Sequence, residues 1–314
     1  MASAIVYTEF GSPDVLHLME VPDPVAVRGE AVVRIEAAGA NPIDAKLRSG
    51  KRPSPPITEP RGVGFDGAGV VEVLGEGVDG LEVGDRVAIR DTVGTYASAL
   101  AVEADKLVKL PDAVTAAEGA AIGIPAGTAY QALRSLGVTA GDVLLVHGGS
   151  GSVGQAAVQF AVAGGATVIA TASPARHEQL RELGALPVAY GDGLLDRVRA
   201  AAPSPVTVAL DCAGTDEAIE TSLALVPDRD RIATIVRGPD AADFGIRAFS
   251  GGSPIPLTEQ ELAWRAEALE KTVELLASGD FTIELGPELP LAEAARAHEL
   301  MESGAASGKI ILVP

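Results

Sequence analysis

The chain has 314 residues, of which 47% are hydrophobic and 21% are charged, values typical of a globular protein with a substantial core. Its 43 acidic and 24 basic side chains give a formal net charge of −19, which repels phosphate backbones and anionic membranes, so nucleic acid and membrane partners are not expected. A single cysteine excludes an intrachain disulfide framework, and the lack of a basic-then-apolar leader pattern at the N-terminus predicts a cytoplasmic protein.

The first part of the chain, to about residue 122, is predicted to be mostly β. Short apolar runs separated by Gly and Pro predict strands at 4–7, 31–37, 67–74, 86–90 and 96–102. Two stretches that are dense in turn formers and polar groups, 38–44 and 62–69, are predicted to be loops facing a ligand.

From Gly123 onward, predicted strands alternate with predicted helices, which indicates a doubly wound parallel sheet of the Rossmann type. A strand at 143–146, a glycine turn, a helix and a second strand at 167–171 form one βαβ unit. The later predicted helices are 177–183, 194–201, 217–225 and 259–277, and the later predicted strands are 187–190, 206–211, 231–236 and 309–313. The segment 237–257 is predicted to be a loop with at most one short strand.

The glycine turn carries the strongest functional signal. Gly149, Gly151 and Gly154 fit the pattern G-x-G-x-x-G. In that pattern the first glycine permits a tight turn, the second lets a pyrophosphate approach the backbone, and the third lets the helix pack closely on the strand. The N-terminus of the following helix presents free N–H groups and a partial positive charge, so we expect a diphosphate there, although a purely structural turn remains an alternative.

The choice of dinucleotide is usually made at the end of the second strand, where a carboxylate would accept the 2′-hydroxyl of NAD. Here that end has no acid and offers the hydroxyl of Ser173 and the guanidinium of Arg176, which suits a phosphate. The sequence therefore predicts NADP(H) as the cofactor. The alternative is that Arg176 only solvates a surface, and the nearby Glu178 supports that alternative.

Several further motifs, in their order along the chain, resemble those of the medium-chain dehydrogenase/reductase superfamily, with the zinc-free quinone oxidoreductases as the closest branch. The motifs are Asn41-Pro42-Ile43-Asp44, the run from Gly64 to Val71, the run from Val83 to Val87, Gly149 to Gly154, Ala297-His298-Glu299 and Gly308-Lys309-Ile310. The resemblance implies a chaperonin-10-like (GroES-like) β domain over 1–122, completed by 258–314, and a Rossmann domain over 123–257. It also implies an active site in the cleft between the two domains, and a homodimer.

The resemblance also implies roles for individual residues. It assigns the run from Gly149 to Gly154, including Ser152 and Val153, to the pyrophosphate loop. It places Ser173, Arg176 and Tyr190 around the 2′-phosphate, and Thr128 and Asn41 near the nicotinamide. Tyr190 has an alternative as a half-buried aromatic at a strand end, and Lys309 could either touch the cofactor or simply lie beside the final strand.

Two departures from relatives bear on the active site. Zinc relatives use Cys and His ligands, but this chain has one cysteine and histidines only at 17, 147, 177 and 298, so no zinc site is expected. Relatives also commonly carry a tyrosine shortly after the Arg-Ser-Gly segment that is here 48–50, whereas this chain continues with Lys51-Arg52. A contact on the substrate side is therefore expected to differ.

Without a metal, the chemistry favours acceptors that need little acid assistance, such as quinones and α,β-unsaturated carbonyls, because hydride addition gives a delocalised anion. Candidate polar helpers are Asn41, Asp44 and Tyr96, with the alternatives that they respectively shape a turn, cap a helix and pack in the core. The leading hypothesis is an NADPH-dependent quinone reductase.

Two other functions stay open. A reductase of enals, enones or enoyl thioesters would use the same chemistry, and the basic Lys51, Arg52 and Arg61 would favour it if they attract an anionic carrier. A non-catalytic NADPH-binding protein belongs to a different class, and tight cofactor binding without turnover would distinguish it.

Overall fold

The computed structural model describes residues 1–249 and 255–314. The strands are β1 (Ala2–Tyr7), β2 (His17–Val21), β3 (Glu30–Gly39), β4 (Arg61–Gly62), β5 (Asp66–Leu74), β6 (Arg86–Ile89), β7 (Ala99–Glu103), β8 (Leu107–Lys109), β9 (Val143–His147), β10 (Thr167–Ala172), β11 (Leu186–Ala189), β12 (Val208–Asp211), β13 (Ile232–Thr234), β14 (Arg247–Ala248), β15 (Leu285–Pro290) and β16 (Lys309–Val313). The α-helices are α1 (Pro42–Arg48), α2 (Ala116–Ser135), α3 (Ser152–Ala163), α4 (His177–Glu182), α5 (Leu194–Ala201), α6 (Asp216–Leu225), α7 (Ala241–Phe244), α8 (Glu259–Ser278) and α9 (Ala294–Ser303).

The chain divides into two compact units, and the first comprises Met1–Ile124 with Leu269–Pro314. This unit contains a small sheet of order β2-β1-β4 and a larger one of order β15-β16-β3-β5-β6-β8, with β7 paired to β3. All of these pairs are antiparallel except β15 with β16. The apolar core between them includes Val33, Ile89 and Leu312, each fully buried.

The second half of the stretch 62–69, predicted to be a loop, is instead the start of strand β5, which begins at Asp66. Its glycines were the reason for the error, because they serve close packing of the backbone there. A Cβ on Gly69 would lie 1.9 Å from the carbonyl oxygen of Arg34, and one on Gly67 would lie 3.1 Å from the Cβ of Thr95. Glycine inside a strand commonly marks such an approach. The other predicted loop, 38–44, is also wrong in part, since it comprises the end of β3 and the start of α1.

Several elements of the first unit were not predicted at all. The strands β2, β4, β8 and β15 are short or exposed, so they lack a clear hydrophobic alternation. The helix α2, of which 116–124 belong to this unit and 125–135 to the second, is rich in Ala and Gly and contains Pro125, a composition that obscures a 3.6-residue period. The helix α9 was also missed, although its buried Ala294, Ala297 and His298 have helical spacing.

The second unit, Pro125–Ala268, has the doubly wound architecture that the sequence predicts. Its sheet has the order β11-β10-β9-β12-β13-β14, and every pair in it is parallel. The order reverses direction between β9 and β12, and in open sheets of this kind ligands bind outside the carboxyl ends of the strands at such a switch point. The core includes Leu145, Ile169 and Ala209, all fully buried, as expected for strands covered on both faces.

Element boundaries in this unit agree closely with the sequence prediction, and α5 matches it at both ends. The segment 237–257 is the exception, because it contains α7 in addition to the short strand β14. The part of that predicted loop at 250–254 lies outside the described residues. In the ranges 1–249 and 255–314, no helix is both long enough and apolar enough to span a membrane.

Candidate functional site

The turn that follows β9 is held against the neighbouring strand β10. The N–H of Gly149 donates to the carbonyl oxygen of Thr171 at 2.9 Å, and the N–H of Gly148 donates to the Thr171 hydroxyl at 3.1 Å. Gly148 has φ +70°, a left-handed conformation that favours glycine. These contacts fix the turn directly above the switch point of the sheet.

The three glycines of the motif have different surroundings. A Cβ on Gly149 would lie 2.7 Å from the Cβ of Ala170, and one on Gly154 would lie 2.3 Å from the carbonyl oxygen of Gly148. At Gly151 the nearest atom to such a Cβ is 3.6 Å away, and the residue is exposed. The first and third glycines therefore permit packing, whereas the second leaves open space beside the backbone.

The helix α3 begins at this open space. Gly151 is its N-cap and makes no side-chain cap hydrogen bond, and its first turn contains no acidic residue. The first N–H groups of a helix have no intrahelical acceptor, and together with the helix dipole they attract an anion. The side chain of Gln155 donates to the carbonyl oxygen of Ser150 at 2.8 Å and so stabilises the loop. Ser152, Val153 and Gly154 thus supply backbone N–H groups that fit a diphosphate.

The residues predicted to surround a 2′-phosphate follow two adjacent strands. Ala172 and Ala189 are paired at the ends of β10 and β11, so Ser173 and Tyr190 leave the sheet side by side. Arg176 ends a short 3₁₀ turn, Pro174–Arg176, immediately after Ser173. Tyr190 is 61% exposed, so the alternative of a half-buried strand-end aromatic is wrong.

The doubt raised by Glu178 is also reduced by its surroundings. Its carboxylate accepts a hydrogen bond from Arg181 at 2.8 Å on the exposed side of α4. No carboxylate occurs between the start of β10 and Arg176. This end of the sheet therefore suits an added phosphate better than a bare 2′-hydroxyl.

Thr128 lies on α2 and is 5% exposed. Its hydroxyl accepts a long hydrogen bond, 3.5 Å, from the guanidinium of Arg265 on α8, and both residues belong to the second unit. The predicted role of Thr128 near a nicotinamide stays a prediction.

In the first unit, Asn41 belongs to a buried cluster with Asp66 and Lys309. The ammonium of Lys309 donates to Asp66 at 2.9 Å and also to the amide oxygen of Asn41, and the amide nitrogen of Asn41 donates to Asp66 at 3.0 Å. The three side chains are at most 3% exposed. The other oxygen of Asp66 accepts from the N–H of Ile124 at 2.8 Å. Lys309 is thus on the final strand, as predicted, but its head group is bound to the protein's own carboxylate.

Asp44 and Tyr96, the other two predicted helpers, form a second buried network with His298. The carboxylate of Asp44 accepts from the N–H of Asn41 at 2.8 Å and from the Tyr96 hydroxyl at 3.1 Å. The Tyr96 hydroxyl lies 3.4 Å from Nε2 of His298. Because the hydroxyl donates its own proton to Asp44, a hydrogen bond with His298 requires that Nε2 carries a proton and donates it to the hydroxyl oxygen. Burial raises the pKa of Asp44 to about 7, and burial with the nearby Arg48 lowers the pKa of His298 to about 3.

This geometry supports the structural alternatives for the predicted helpers. Asn41 is the N-cap of α1, Asp44 binds the N-cap N–H from the third helical position, and Tyr96 is fully buried. The structure brings all three together. Their catalytic role stays a prediction, and sequence analysis missed that Asp66, Lys309 and His298 complete the cluster. The paired charges of Asp66 and Lys309 could not be detected because 243 positions separate them.

Two further polar residues lie at the carboxyl ends of the central strands β9 and β12. His147 is 1% exposed, and its Nε2 lies 3.2 Å from the Ser222 hydroxyl. Burial lowers its pKa to about 4, so the ring is neutral at pH 7. Asp211 is also buried, and it accepts hydrogen bonds from Ala213, Gly214 and Thr234 at 2.7 to 2.9 Å. Both groups are satisfied within the protein.

Comparison with protein families gives two matches. Residues 27–112 match the alcohol dehydrogenase GroES-like domain, which confirms the predicted chaperonin-10-like domain, and residues 183–312 match a model described as zinc-binding dehydrogenase. Despite that description, no group of three or more His, Cys, Asp or Glu side chains that could hold a metal occurs among the residues the structure describes.

Individual relatives extend over the whole chain. The quinone oxidoreductase of Sus scrofa is 32% identical, with 100% of this chain and 98% of that protein covered. The structure of the quinone oxidoreductase from Coxiella burnetii has a TM-score of 0.84 at 29% identity and covers 100% of this chain and 99% of that one. The Escherichia coli quinone oxidoreductase complexed with NADPH has a TM-score of 0.82 at 28% identity, covering 99% and 100%. The chain is therefore a member of the quinone oxidoreductase family within the medium-chain dehydrogenase/reductase superfamily.

Proposed function

We propose that this protein is an NADPH-dependent reductase that transfers a hydride to quinones. The observation that carries the proposal is the turn after β9, where only the second glycine leaves space beside an uncapped helix N-terminus. The likeness to a quinone oxidoreductase solved with NADPH supports the same cofactor. We further propose that the protein acts in the cytoplasm and that it forms a homodimer. Light scattering would test the homodimer.

Each end of the cofactor has its own set of residues in this proposal. The N–H groups of Ser152, Val153 and Gly154 bind the pyrophosphate beside the open space at Gly151, and Ser173, Arg176 and Tyr190 bind the 2′-phosphate. Thr128 and Asn41 lie at the nicotinamide end. The bound cofactor supplies the hydride, from C4 of its nicotinamide.

The residues around Asn41 act mainly by holding this end of the site in place. The side chain of Asn41 is fixed by Lys309, Asp66 and the carbonyl oxygen of Gly39, so the start of α1 cannot shift without breaking buried hydrogen bonds. Residues held in this way can position an acceptor for hydride transfer. A quinone suits such a site because it stabilises the negative charge that the hydride brings. Asp44 is the predicted helper whose pKa, about 7, suits proton exchange near neutrality.

A panel of acceptors tests the proposal. The initial rate of NADPH oxidation is measured, with a chelator present, against ortho- and para-quinones, enals, enones and enoyl thioesters. We expect quinones to give the highest kcat/KM. A lead by a conjugated carbonyl would identify a double-bond reductase instead, and tight NADPH binding without any turnover would indicate a non-catalytic binding protein.

A further inference from the structure

The segment from Ala45 to Arg61 has a charge opposite to that of the whole chain. It contains five cations, Lys46, Arg48, Lys51, Arg52 and Arg61, and one acid, Glu59, whereas the full chain has a net charge of −19. A local concentration of positive charge on an acidic protein attracts anions specifically to that place.

Two of these five cations are bound to the protein itself. Arg48 is 1% exposed and holds the carboxylate of Glu302 with two contacts of 2.8 Å. Arg61 donates to the Ser54 hydroxyl and to the carbonyl oxygens of Pro55 and Pro56, and its guanidinium lies over the rings of Tyr7 and Phe10. Arg48 and Arg61 therefore shape this segment.

Lys46, Lys51 and Arg52 form a cluster, which we call the cation cluster. The N–H of Arg52 donates to the carbonyl oxygen of Lys46 at 3.0 Å, so the chain folds back on the end of α1 and brings the three side chains together. Among the residues that the structure describes, no carboxylate forms an ion pair with any of them. Burial, and then the charges of Arg52 and Lys51, lowers the pKa of Lys46. The cation cluster thus holds three positive charges close together, with no paired carboxylate among the described residues.

The cation cluster lies at the opposite end of α1 from Asn41. The helix has seven residues, so it is about 10 Å long at 1.5 Å per residue. Asp44 and Arg48 are on its buried side, whereas Lys46 is only half-buried. A small acceptor whose reacting ring lies near Asn41 could therefore place a substituent at the cluster.

We propose that the cation cluster binds an anionic group, a carboxylate, sulfonate or phosphate, carried by the hydride acceptor. This inference rests on the proposed function and narrows its substrate class. Paired cations favour an acceptor with an anionic group over a neutral one.

Two matched pairs of acceptors test this proposal and separate its possible ligands. The first pair is 9,10-phenanthrenequinone-2-carboxylate and 9,10-phenanthrenequinone, and the second is an enoyl coenzyme A thioester and the same acyl group on neutral N-acetylcysteamine. In the double variant Lys46→Gln/Arg52→Gln, we expect kcat/KM for the anionic member of the preferred pair to fall at least about tenfold, mainly through KM. The neutral member should change less than about twofold, and the pair that responds identifies the anionic group.

The control variant is Arg28→Gln/Arg199→Gln, which makes the same change in net charge with two exposed arginines elsewhere. Equal loss in both double variants, or equal loss for anionic and neutral acceptors, would overturn the proposal. So would a rise in the KM for NADPH that matches the rise for the acceptor. If no acceptor is reduced, the proposed function fails, and calorimetric binding of 9,10-phenanthrenequinone-2-carboxylate to the wild type and to both double variants then decides the cluster separately.

Discussion

Gly151 and Gly154 lie in the same turn, but a methyl group would have different consequences at the two positions. Gly154 packs against the backbone of Gly148 and Gly149 at distances of 2.3 to 2.9 Å from the hypothetical Cβ, whereas Gly151 has open space and an ordinary extended conformation, with φ −77°. The motif in the sequence predicted the close packing at Gly154 correctly, because that packing depends on neighbours within a few residues. The role of Gly151 beside a pyrophosphate stays a prediction.

We therefore predict that alanine at Gly154 lowers stability, whereas alanine at Gly151 weakens cofactor binding. Gly154→Ala should lower the free energy of unfolding by about 1–3 kcal/mol, because its Cβ would overlap backbone atoms. Gly151→Ala should change stability by less than about 1 kcal/mol but weaken NADPH binding at least about tenfold, because its methyl group fills the space left for the pyrophosphate. Denaturant titration and fluorescence binding of NADPH measure the two effects. Wild-type NADPH affinity in Gly151→Ala would exclude this turn as the cofactor site.

Arg176 provides the matching test of the choice between NADPH and NADH. Arg176→Ala should weaken NADPH by about 1–3 kcal/mol, through loss of a charged hydrogen bond, and leave NADH nearly unchanged. The control is Arg181→Ala on α4, where the side chain pairs with Glu178 at the surface. Isothermal titration with both cofactors measures the difference. If Arg176→Ala and wild type bind NADPH equally, the 2′-phosphate site lies elsewhere.

At the scale of elements, the buried pair of Lys309 and Asp66 joins strand β16 to strand β5, and Asn41 ties both to the start of α1. Burial of an ion pair is costly unless each charge keeps its partner. The pair therefore makes the positions of three elements depend on one another, which a purely apolar contact would do less specifically.

Removing one partner should have a large effect. Lys309→Met leaves Asp66 charged and buried, and we predict that the free energy of unfolding falls by about 3–5 kcal/mol. The control is Lys109→Met on β8, because Lys109 is 50% exposed and its pair with Asp85 should contribute no more than about 1 kcal/mol. Urea denaturation of the two variants gives the comparison. Similar losses in both would show that the buried pair has no special importance.

The elements also show which features local sequence can predict. In the second unit, strands such as β9 are buried, mostly apolar runs, and helices such as α5 bury apolar residues at helical spacing, so their bounds were predicted within a few residues. In the first unit, β4 has two residues and β2 is almost fully exposed, so neither has a local signature and both depend on pairing with β1. The order of strands and the cluster around Lys309 depend on contacts between distant residues, which periodicity does not contain.

For the whole molecule, the acidic charge of −19 makes each place where cations collect informative. Arg176 at the end of β10 and the cation cluster after α1 are two such places, one in each compact unit. We assign the first to the 2′-phosphate of the cofactor and the second to the acceptor. The first assignment requires only that the protein binds NADPH, and the second requires that the acceptor carries an anionic group. Our central claim is that the protein uses NADPH to reduce a quinone.

The most direct test of that claim is the rate of oxidation of NADPH and of NADH by 9,10-phenanthrenequinone, measured side by side with EDTA present. We predict that kcat/KM for NADPH exceeds that for NADH by at least about tenfold, since one charged hydrogen-bonded contact contributes that much, and that the chelator leaves the rate unchanged. Equal use of the two cofactors, dependence on a metal, or the absence of quinone reduction would contradict the account.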